Sequence, residues 1–418
     1  MRKIIPALAA LTIFLSSCGG NNTLSLSVPQ TTDISFSWWG NDSRHDYTLP
    51  AIKEFENQFP GIKVKCHYSE WSGYQKKNNV QMISNTESDV MQINYSWLNQ
   101  YSPDGQGYYD LSTLADYIDF SCYSEDDLSY GMQNGVLNAI PIALNTMTLY
   151  ANKTVYSEYG LDIPKTFDDL FSAAKVMNGE HYPLALSQKP AWFLIVSYAG
   201  QKTGKDFMDS NGKINFTQNE IKMMLDFYCE LVNKKVIPVL DEYDRREFSS
   251  GKYASTMVWL SDANNYCSPA EKNGFEMVVG NYITINGKLD NWYVKPATLY
   301  AIKKNSAHPE EAATLLNYLV NSPDMADYQK TEKGIPLSKS ARDYLMNNHE
   351  LNDIQSDAFN LMSDSLSMLE PISPFFETDV LYKAFSDSCT EVLFGKSNSD
   401  EQAAVLYEIF QNYQNGNN

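Results

Sequence analysis

The chain has 418 residues, and its 51 acidic side chains outnumber its 32 basic ones, which gives a formal net charge of −19. At about 150 residues per domain, this length predicts two to three domains. A body this acidic would be repelled by phosphate backbones, so the composition argues against a nucleic-acid-binding protein. Hydrophobic residues make up 43% and charged residues 20% of the chain, as expected for a globular protein, while the aromatic fraction of 13% is high.

The N-terminal residues predict a secretion signal. Two basic residues precede an apolar run from Ile4 to Leu15, which is too short to span a bilayer permanently. The run ends in Leu-Ser-Ser-Cys at Cys18, which resembles a bacterial lipobox, where the cysteine is lipidated and becomes the new N-terminus. We expect a signal peptide over 1–17 and a lipidated tether over 18–32, anchored by acyl chains such as palmitate. An ordinary cleaved signal with a chance cysteine is the alternative.

The remaining cysteines are odd in number and widely spaced, and they contain no C-x-x-C pair. This spacing is typical of neither a disulfide framework nor a zinc site. We therefore expect buried free thiols, and no metal or other cofactor. The five residues are Cys66, Cys122, Cys229, Cys267 and Cys389.

The chain after the tether begins with a predicted strand, helix and strand. Apolar residues alternate over 33–39, which indicates a strand, and recur at helical spacing over 49–59. Pro60-Gly61 ends the helix, and 62–65 is a second strand. This βαβ order predicts a parallel sheet and an α/β fold class.

Later helices have recognisable starts. Thr166 with Asp169 and Thr217 with Glu220 have the spacing of a capping box, and Pro309 opens another helix. Short strands are predicted between the helices, at residues 90–94, 256–260, 276–280 and 298–302.

Sequence blocks in a fixed order now point to a family. They are 36–45 (FSWWGNDSRH), 59–64 (FPGIKV), 71–74 (WSGY), 89–97 (DVMQINYSW), 149–153 (LYANK) and 334–336 (GIP). With these blocks, the sequence resembles the extracellular solute-binding proteins of ABC importers, specifically the family 1 sugar-binding lipoproteins. Ser88 and Ser96 stand where the family usually has a proline and an acidic residue, and the second departure leaves the fine sugar preference open.

The resemblance implies a two-lobe fold of the type II periplasmic-binding-protein kind, with a ligand cleft between the lobes. It implies a first lobe of 33–143 plus 299–335, a second lobe of 146–296 plus 339–418, and hinge crossings near 141–146, 296–301 and 334–338. It also implies a bacterial, extracytoplasmic, lipid-anchored monomer. Its partners would be an oligosaccharide and the permease subunits of an ABC transporter, which a separate ATPase would drive.

Candidate ligand contacts follow the strand ends, because ligands of open α/β sheets bind beyond the carboxyl ends of the strands. A pyranose ring offers an apolar C–H face to an indole and a rim of hydroxyls to planar polar groups. First-lobe candidates are Trp38, Trp39, Asn41, Asp42, Arg44, His45, Glu70, Trp71, Tyr74, Asn94, Tyr95 and Trp97. Second-lobe candidates are Trp192, Trp259, Asp262, Trp292 and Tyr293, and Asn145 is a candidate in the first predicted crossing.

Each candidate also has a structural alternative. Neighbours in a strand point to opposite faces, so Trp38 and Trp39 cannot both enter one core unless the strand has already ended. Asp42 or Ser43 could simply cap a helix. The tryptophans of the second lobe are as consistent with core positions as with a ligand platform.

Two other function classes remain open. A secreted glycosidase would need a pair of carboxylates, and Glu70, Asp89, Asp262 and Glu370 show no supporting spacing. The same scaffold could bind a polyamine, a peptide or iron. The adjacent tyrosines at 108–109 are the hint of an iron site. The 7 Trp and 28 Tyr favour several stacked sugar subsites. We predict high-affinity oligosaccharide binding and delivery to a permease, without enzymatic activity.

Overall fold

Strands and helices alternate along the chain in the computed structural model, which describes residues 31–209, 212–348, 353–373 and 375–416. The strands are β1 (Thr32–Trp39), β2 (Ile62–Ser69), β3 (Val90–Ile93), β4 (Met132–Gln133), β5 (Val136–Leu137), β6 (Ala139–Asn152), β7 (Ser255–Trp259), β8 (Met277–Val279), β9 (Tyr293–Ile302) and β10 (Glu370–Pro371). The hydrogen-bonded order of the main sheet is β2-β1-β3-β9-β6-β7, while β10 pairs with β9, β8 pairs with β6, and β4-β5 form a separate hairpin.

Helices cover both halves of this sheet. They are α1 (Asp42–Gln58), α2 (Trp71–Ser84), α3 (Ser96–Tyr101), α4 (Glu125–Ser129), α5 (Lys153–Glu158), α6 (Phe167–Met177), α7 (Gln188–Thr203), α8 (Gln218–Asn233), α9 (Arg246–Ser249), α10 (Ala263–Lys272), α11 (Pro309–Asn321), α12 (Pro323–Gln329), α13 (Lys339–Asn347), α14 (Asp353–Ser365), α15 (Asp379–Leu393) and α16 (Ser399–Gly416). The predicted α/β class is confirmed.

The predicted strand–helix–strand start is confirmed and extended. β1 pairs in parallel with β2 along its whole length and with β3 on its other side. Ile34, Phe36 and Trp38 are buried on one face of β1, as the alternation predicted. Trp39 points to the opposite face and joins a different cluster of side chains.

Helix α1 begins earlier than the apolar spacing predicted. The side chain of Asn41 accepts a hydrogen bond from the backbone N–H of Arg44 at 3.2 Å, so Asn41 is the cap, rather than Asp42 or Ser43. Apolar periodicity cannot reveal this first turn, because its side chains are polar. The helix N-terminus therefore lies directly beyond the carboxyl end of β1.

Two long antiparallel strands, β6 and β9, run through both halves of the molecule. Their pairing register shifts between Pro141 and Ala143 and again between Ala143 and Leu144. The chain passes from one hydrophobic cluster to another at this point, because Ile142 belongs to the first cluster and Leu144 to the second. The predicted crossings near 141–146 and 296–301 are thus segments of continuous strands.

The third predicted crossing, near 334–338, lies against β6 at the position where its pairing register shifts. The N–H of Leu337 donates to the carbonyl of Ile142 at 3.0 Å. Helix α13 then packs on α12 through Ala341, Leu345 and Ala326. This corrects the expectation that residues from 339 onward belong to the second lobe, since α13 lies on a helix of the first. The other lobe boundaries stay a prediction.

Both predicted capping boxes are present. Thr166 with Asp169 opens α6, and Thr217 with Glu220 opens α8. In each box the threonine side chain accepts a backbone N–H while the acidic side chain accepts the N–H of the threonine. These reciprocal bonds fix where the helices of the second half begin.

The five predicted free cysteines carry no disulfide in the structure. Cys267 and Cys389 are buried, whereas the other three are only half-buried, so the prediction of full burial holds for two of them. Burial raises the pKa of Cys66 to about 11 and that of Cys267 to about 12, which keeps both thiols protonated near neutrality.

The predicted signal peptide (1–17), the lipidation site Cys18 and all of the predicted tether except its last two residues lie outside the described residues. Among the helices of the described part of the chain, none is long and apolar enough to cross a membrane.

Candidate ligand-binding cleft

Two adjoining cavities open between the halves of the molecule. The larger has a volume of about 800 Å³ and the smaller about 250 Å³. Both are lined by Trp71, Asn94, Lys295 and Ala297, so they form one continuous cleft. Residues that follow the carboxyl ends of β1, β2 and β3 border it, which is where an open α/β sheet binds its ligands.

A cluster of tryptophans forms the wall on the side of β1. Trp71 lies 4.9 Å from Trp39, nearly edge to face, and 5.8 Å from Trp97, nearly parallel, between ring centroids. Trp39 and Trp97 are buried, whereas Trp71 is 38% exposed. Trp71 therefore presents its ring to the cleft, and the two buried indoles hold it in place.

Trp259, at the end of β7, lines the cleft on the opposite side. Phe193 packs edge-on against its ring at a centroid distance of 5.3 Å. The ammonium of Lys295 lies 4.3 Å from the centroid of the same ring, within the range of a cation–π interaction. One indole on each side of the cleft, Trp71 and Trp259, can thus take the face of a flat, apolar ring.

Two amides line the same cavity as these indoles. Asn94 follows β3, and its Oδ1 accepts from the backbone N–H of Ser96 at 3.0 Å. Asn145, in β6, donates to the hydroxyl of Ser261 at 2.9 Å and accepts from the backbone N–H of Ser261 at 3.3 Å. Both amides are fixed by the protein itself, which reduces the entropy lost when a ligand binds.

Further charged side chains line the cleft, and the sequence patterns missed all of them except Arg44. Lys295 and Lys189 share the carboxylate of Glu377, with 3.7 Å between Lys189 Nζ and Glu377 Oε1. Arg44 pairs with Glu332 at 3.6 Å. Lys295 and Glu332 lie next to the predicted crossings at 296–301 and 334–338, whereas nothing in the sequence marked Lys189 or Glu377.

Lys333 is a buried cation in the wall of the smaller cavity, with 2% of its surface exposed. Its Nζ donates to the hydroxyl of Tyr300 at 2.6 Å. Burial, together with the positive charge of Arg44, lowers the pKa of Lys333 well below its ordinary value.

Eight of the residues predicted from the sequence line the cleft. They are Trp39, Arg44, Trp71, Asn94, Tyr95, Trp97, Asn145 and Trp259. Most of them lie at or just after the carboxyl ends of β1, β2, β3 and β7, as expected for an α/β sheet, whereas Asn145 lies within β6. They remain our proposed ligand contacts.

Three predicted tryptophans are instead core residues, which corrects the expectation that they contact ligand. Trp38, Trp192 and Trp292 are fully buried, and each indole N–H already has a partner within the protein. Tyr293 is also buried, in the second hydrophobic cluster. The side chain of Tyr74 is buried as well, and its hydroxyl donates to the carbonyl of Gln92 at 2.8 Å. Packing, rather than ligand binding, accounts for these five side chains.

The remaining predicted residues line neither cavity. Asn41 serves as the cap of α1, and His45 packs against the ring of Tyr68 at a centroid distance of 4.5 Å. Asp42 and Glu70 are solvent-exposed, and Asp262 lies in the turn that leads into α10. We leave these residues out of the proposed site.

The carboxylates considered for a glycosidase are not brought together. Asp89 accepts hydrogen bonds from Ser35 and Ser306, which fix the start of β3. Glu370 lies beside Asp206 in the second half, where burial and the nearby Asp206 carboxylate raise the pKa of Glu370 to about 7. Neither lines the cleft, so these carboxylates named from the sequence form no glycosidase pair there.

The tyrosine pair considered for iron does not reach the cleft either. Tyr108 is buried, and the backbone N–H of Tyr109 donates to the carbonyl of Ile302 at 3.0 Å. Within the residues that the structure describes, no three His, Cys, Asp or Glu side chains group in a way that could hold a metal ion.

The fold and the cleft together define a solute-binding protein with two lobes. The model of the family described as bacterial extracellular solute-binding protein matches residues 41–326, and the chain belongs to this family. The resemblance found from the sequence is therefore confirmed.

Several known proteins are similar to the chain. A multiple sugar-binding protein of Streptococcus mutans is 21% identical over 348 residues, covering 78% of this chain and 79% of the relative. A periplasmic oligogalacturonide binding protein from Yersinia enterocolitica, in complex with saturated digalacturonic acid, is 29% identical with a TM-score of 0.78, covering 91% of this chain and 99% of that one. A de novo designed cysteine esterase is 29% identical with a TM-score of 0.86, covering 93% and 100%.

Proposed function

We propose that this protein binds an oligosaccharide in the cleft between its lobes and delivers it to the permease of an ABC importer. The observation that carries the proposal is the pair of indoles, Trp71 and Trp259, on opposite sides of one cleft, with the fixed amides Asn94 and Asn145 in the wall of the same cavity. Indole faces suit the C–H face of a sugar ring, and amides suit its hydroxyls.

The size of the cleft and the relatives support an oligosaccharide. Small-molecule sites usually measure about 300–1,000 Å³, and the larger cavity alone reaches about 800 Å³. One relative is a sugar-binding protein, and one similar structure is an oligogalacturonide binding protein. The family and its natural relatives are binding proteins, so we expect ligand capture without turnover.

Ligand capture would require the lobes to close. We propose that they rotate about the strands β6 and β9, where the pairing register shifts near Ala143. A ligand that contacts Trp71 and Trp259 at once would favour the closed form, because only that form allows both contacts. Small-angle scattering should then show a smaller radius of gyration with ligand than without it.

A glycan panel tests the binding itself. The purified protein is screened by thermal shift against oligosaccharides, and hits are measured by calorimetry with Trp71→Ala and Trp259→Ala. Each substitution should weaken binding by about tenfold or more, as expected when an aromatic platform is lost. Tyr117→Ala is the matched control, because Tyr117 is also 38% exposed but does not line the cleft. Unchanged affinity in both tryptophan variants would show that the cargo binds elsewhere.

We also propose that Cys18 carries the lipid anchor, on the strength of the lipobox alone. Full-length protein expressed in bacteria with labelled palmitate should take up label and fractionate with membranes. Cys18→Ala should lose both. Label that persists in this variant would refute the anchor without affecting the binding proposal.

A further inference from the structure

The charge of the cleft is opposite to that of the whole chain. Acidic side chains outnumber basic ones by 51 to 32 overall. The two cavities, however, are lined by four basic side chains, Arg44, Lys189, Lys295 and Lys333. They are lined by three acidic ones, Glu332, Glu377 and Asp379. A cluster of cations within so acidic a body indicates an anionic ligand.

Two of these lysines share a single internal counter-ion. Lys295 and Lys189 both pair with Glu377, so two ammonium groups share one direct carboxylate partner. The Lys295 ammonium lies 4.3 Å from the centre of the Trp259 ring. A sugar stacked on Trp259 would therefore place a ring substituent close to a cation.

Lys333 is a further basic group in the wall of the smaller cavity. It is almost fully buried, and it forms no ion pair with any carboxylate of the described residues. Its polar partner is the Tyr300 hydroxyl, which is neutral. A buried ammonium without a counter-ion is costly, and the low pKa of Lys333 reflects this cost. A ligand anion entering the cavity would provide the missing charge.

We propose, on the basis of the proposed function, that the cargo is an oligosaccharide whose sugar rings carry carboxylates, as uronic acids do. Glu377 takes the position that a ligand carboxylate would take between Lys295 and Lys189. Binding then exchanges this internal partner for one on the sugar. Neutral sugars stack on the same indoles but offer these cations no carboxylate when the lobes close.

The test compares acidic sugars with uncharged sugars and with a sugar that carries a different anionic group. Calorimetry of the purified protein uses trimers of galacturonic and guluronic acid, their methyl esters, neutral trimers and a sulfated disaccharide. At least one acidic trimer should bind about tenfold or more tightly than its own methyl ester, because a hydrogen bond to a charged group contributes about 1.5–3 kcal/mol. Its affinity should also fall as salt rises.

Two variants assign the effect to the residues. Lys295→Met should weaken binding of the acidic trimer by about tenfold or more, and by clearly more than it weakens binding of the methyl ester, since a charge-assisted contact is lost. Glu377→Gln should tighten acidic binding, because it removes the competing carboxylate. Lys288→Met is the control, since Lys288 is an exposed lysine whose partner Asp290 lies outside the cleft.

The outcomes separate this inference from the proposed function. If a neutral trimer or a methyl ester binds more tightly than every acidic trimer, the carboxylate cargo is refuted while sugar binding stands. The same holds if the sulfated sugar is the tightest ligand. If no glycan of any kind binds, the proposed function fails and this inference fails with it. If Glu377→Gln weakens acidic binding as strongly as Lys295→Met, Glu377 does not substitute for a ligand carboxylate.

Discussion

The carboxyl of Glu370 should make the stability of the protein depend on pH. Burial and the nearby Asp206 raise its pKa to about 7 from an ordinary value of 4.5. Between these pH values the folded chain holds a proton that the unfolded chain has lost, so the free energy of unfolding falls as the pH rises. The full difference corresponds to about 3 kcal/mol. Because the carboxyl is partly exposed, solvent screening reduces this to about 1–2 kcal/mol.

Glu370→Gln isolates this effect. The amide is neutral at every pH and can still donate a hydrogen bond to Asp206. The variant should match the parent near pH 4 and exceed its free energy of unfolding by about 1–2 kcal/mol at pH 8. Urea denaturation followed by tryptophan fluorescence measures both. Glu276→Gln is the control, because Glu276 is an exposed glutamate whose partner is Lys153. Parallel pH profiles for the parent and Glu370→Gln would refute the reasoning.

Three further predictions follow from the structure. Thr217→Ala removes the cap of α8 and should lower the free energy of unfolding by about 1 kcal/mol in urea; an unchanged midpoint would contradict the role of the capping box. Trp192→Phe should cost about 1–3 kcal/mol while leaving glycan affinity intact, and a selective loss of affinity would return Trp192 to the binding site. Cys267 and Cys389 should react with Ellman's reagent only in denaturant, because both thiols are buried and burial raises their pKa; rapid labelling of the native protein would argue against this packing.

Much of the framework was predictable because it depends on local patterns. The alternation around Phe36 predicted that Ile34, Phe36 and Trp38 share one buried face of β1, and the structure confirms it. The capping boxes at Thr166 and Thr217 were equally predictable, because their reciprocal hydrogen bonds join two residues that are three positions apart in the sequence. The opposite directions of Trp38 and Trp39 followed from the same alternation.

The cleft was only partly predictable, since its walls are made by residues far apart in the chain. Lys189, Lys295 and Glu377 meet only after folding, and no local pattern marks any of them. An indole has the same chemistry in a core as on a ligand platform, so the sequence could not separate Trp192 from Trp259. Only the packing around each ring decides between these roles.

The topology of the sheet also constrains how the protein is made. β3 pairs with β1 on one side and with β9 on the other, and β9 is encoded far downstream. Until ribosomes have synthesised β9 and α11, the apolar side chains around Phe36 lack the partners that cover them, such as Tyr300 and Leu316. The first lobe therefore cannot mature early during synthesis or export, and a chain truncated before β9 should be a substrate for quality-control proteases rather than a smaller stable domain.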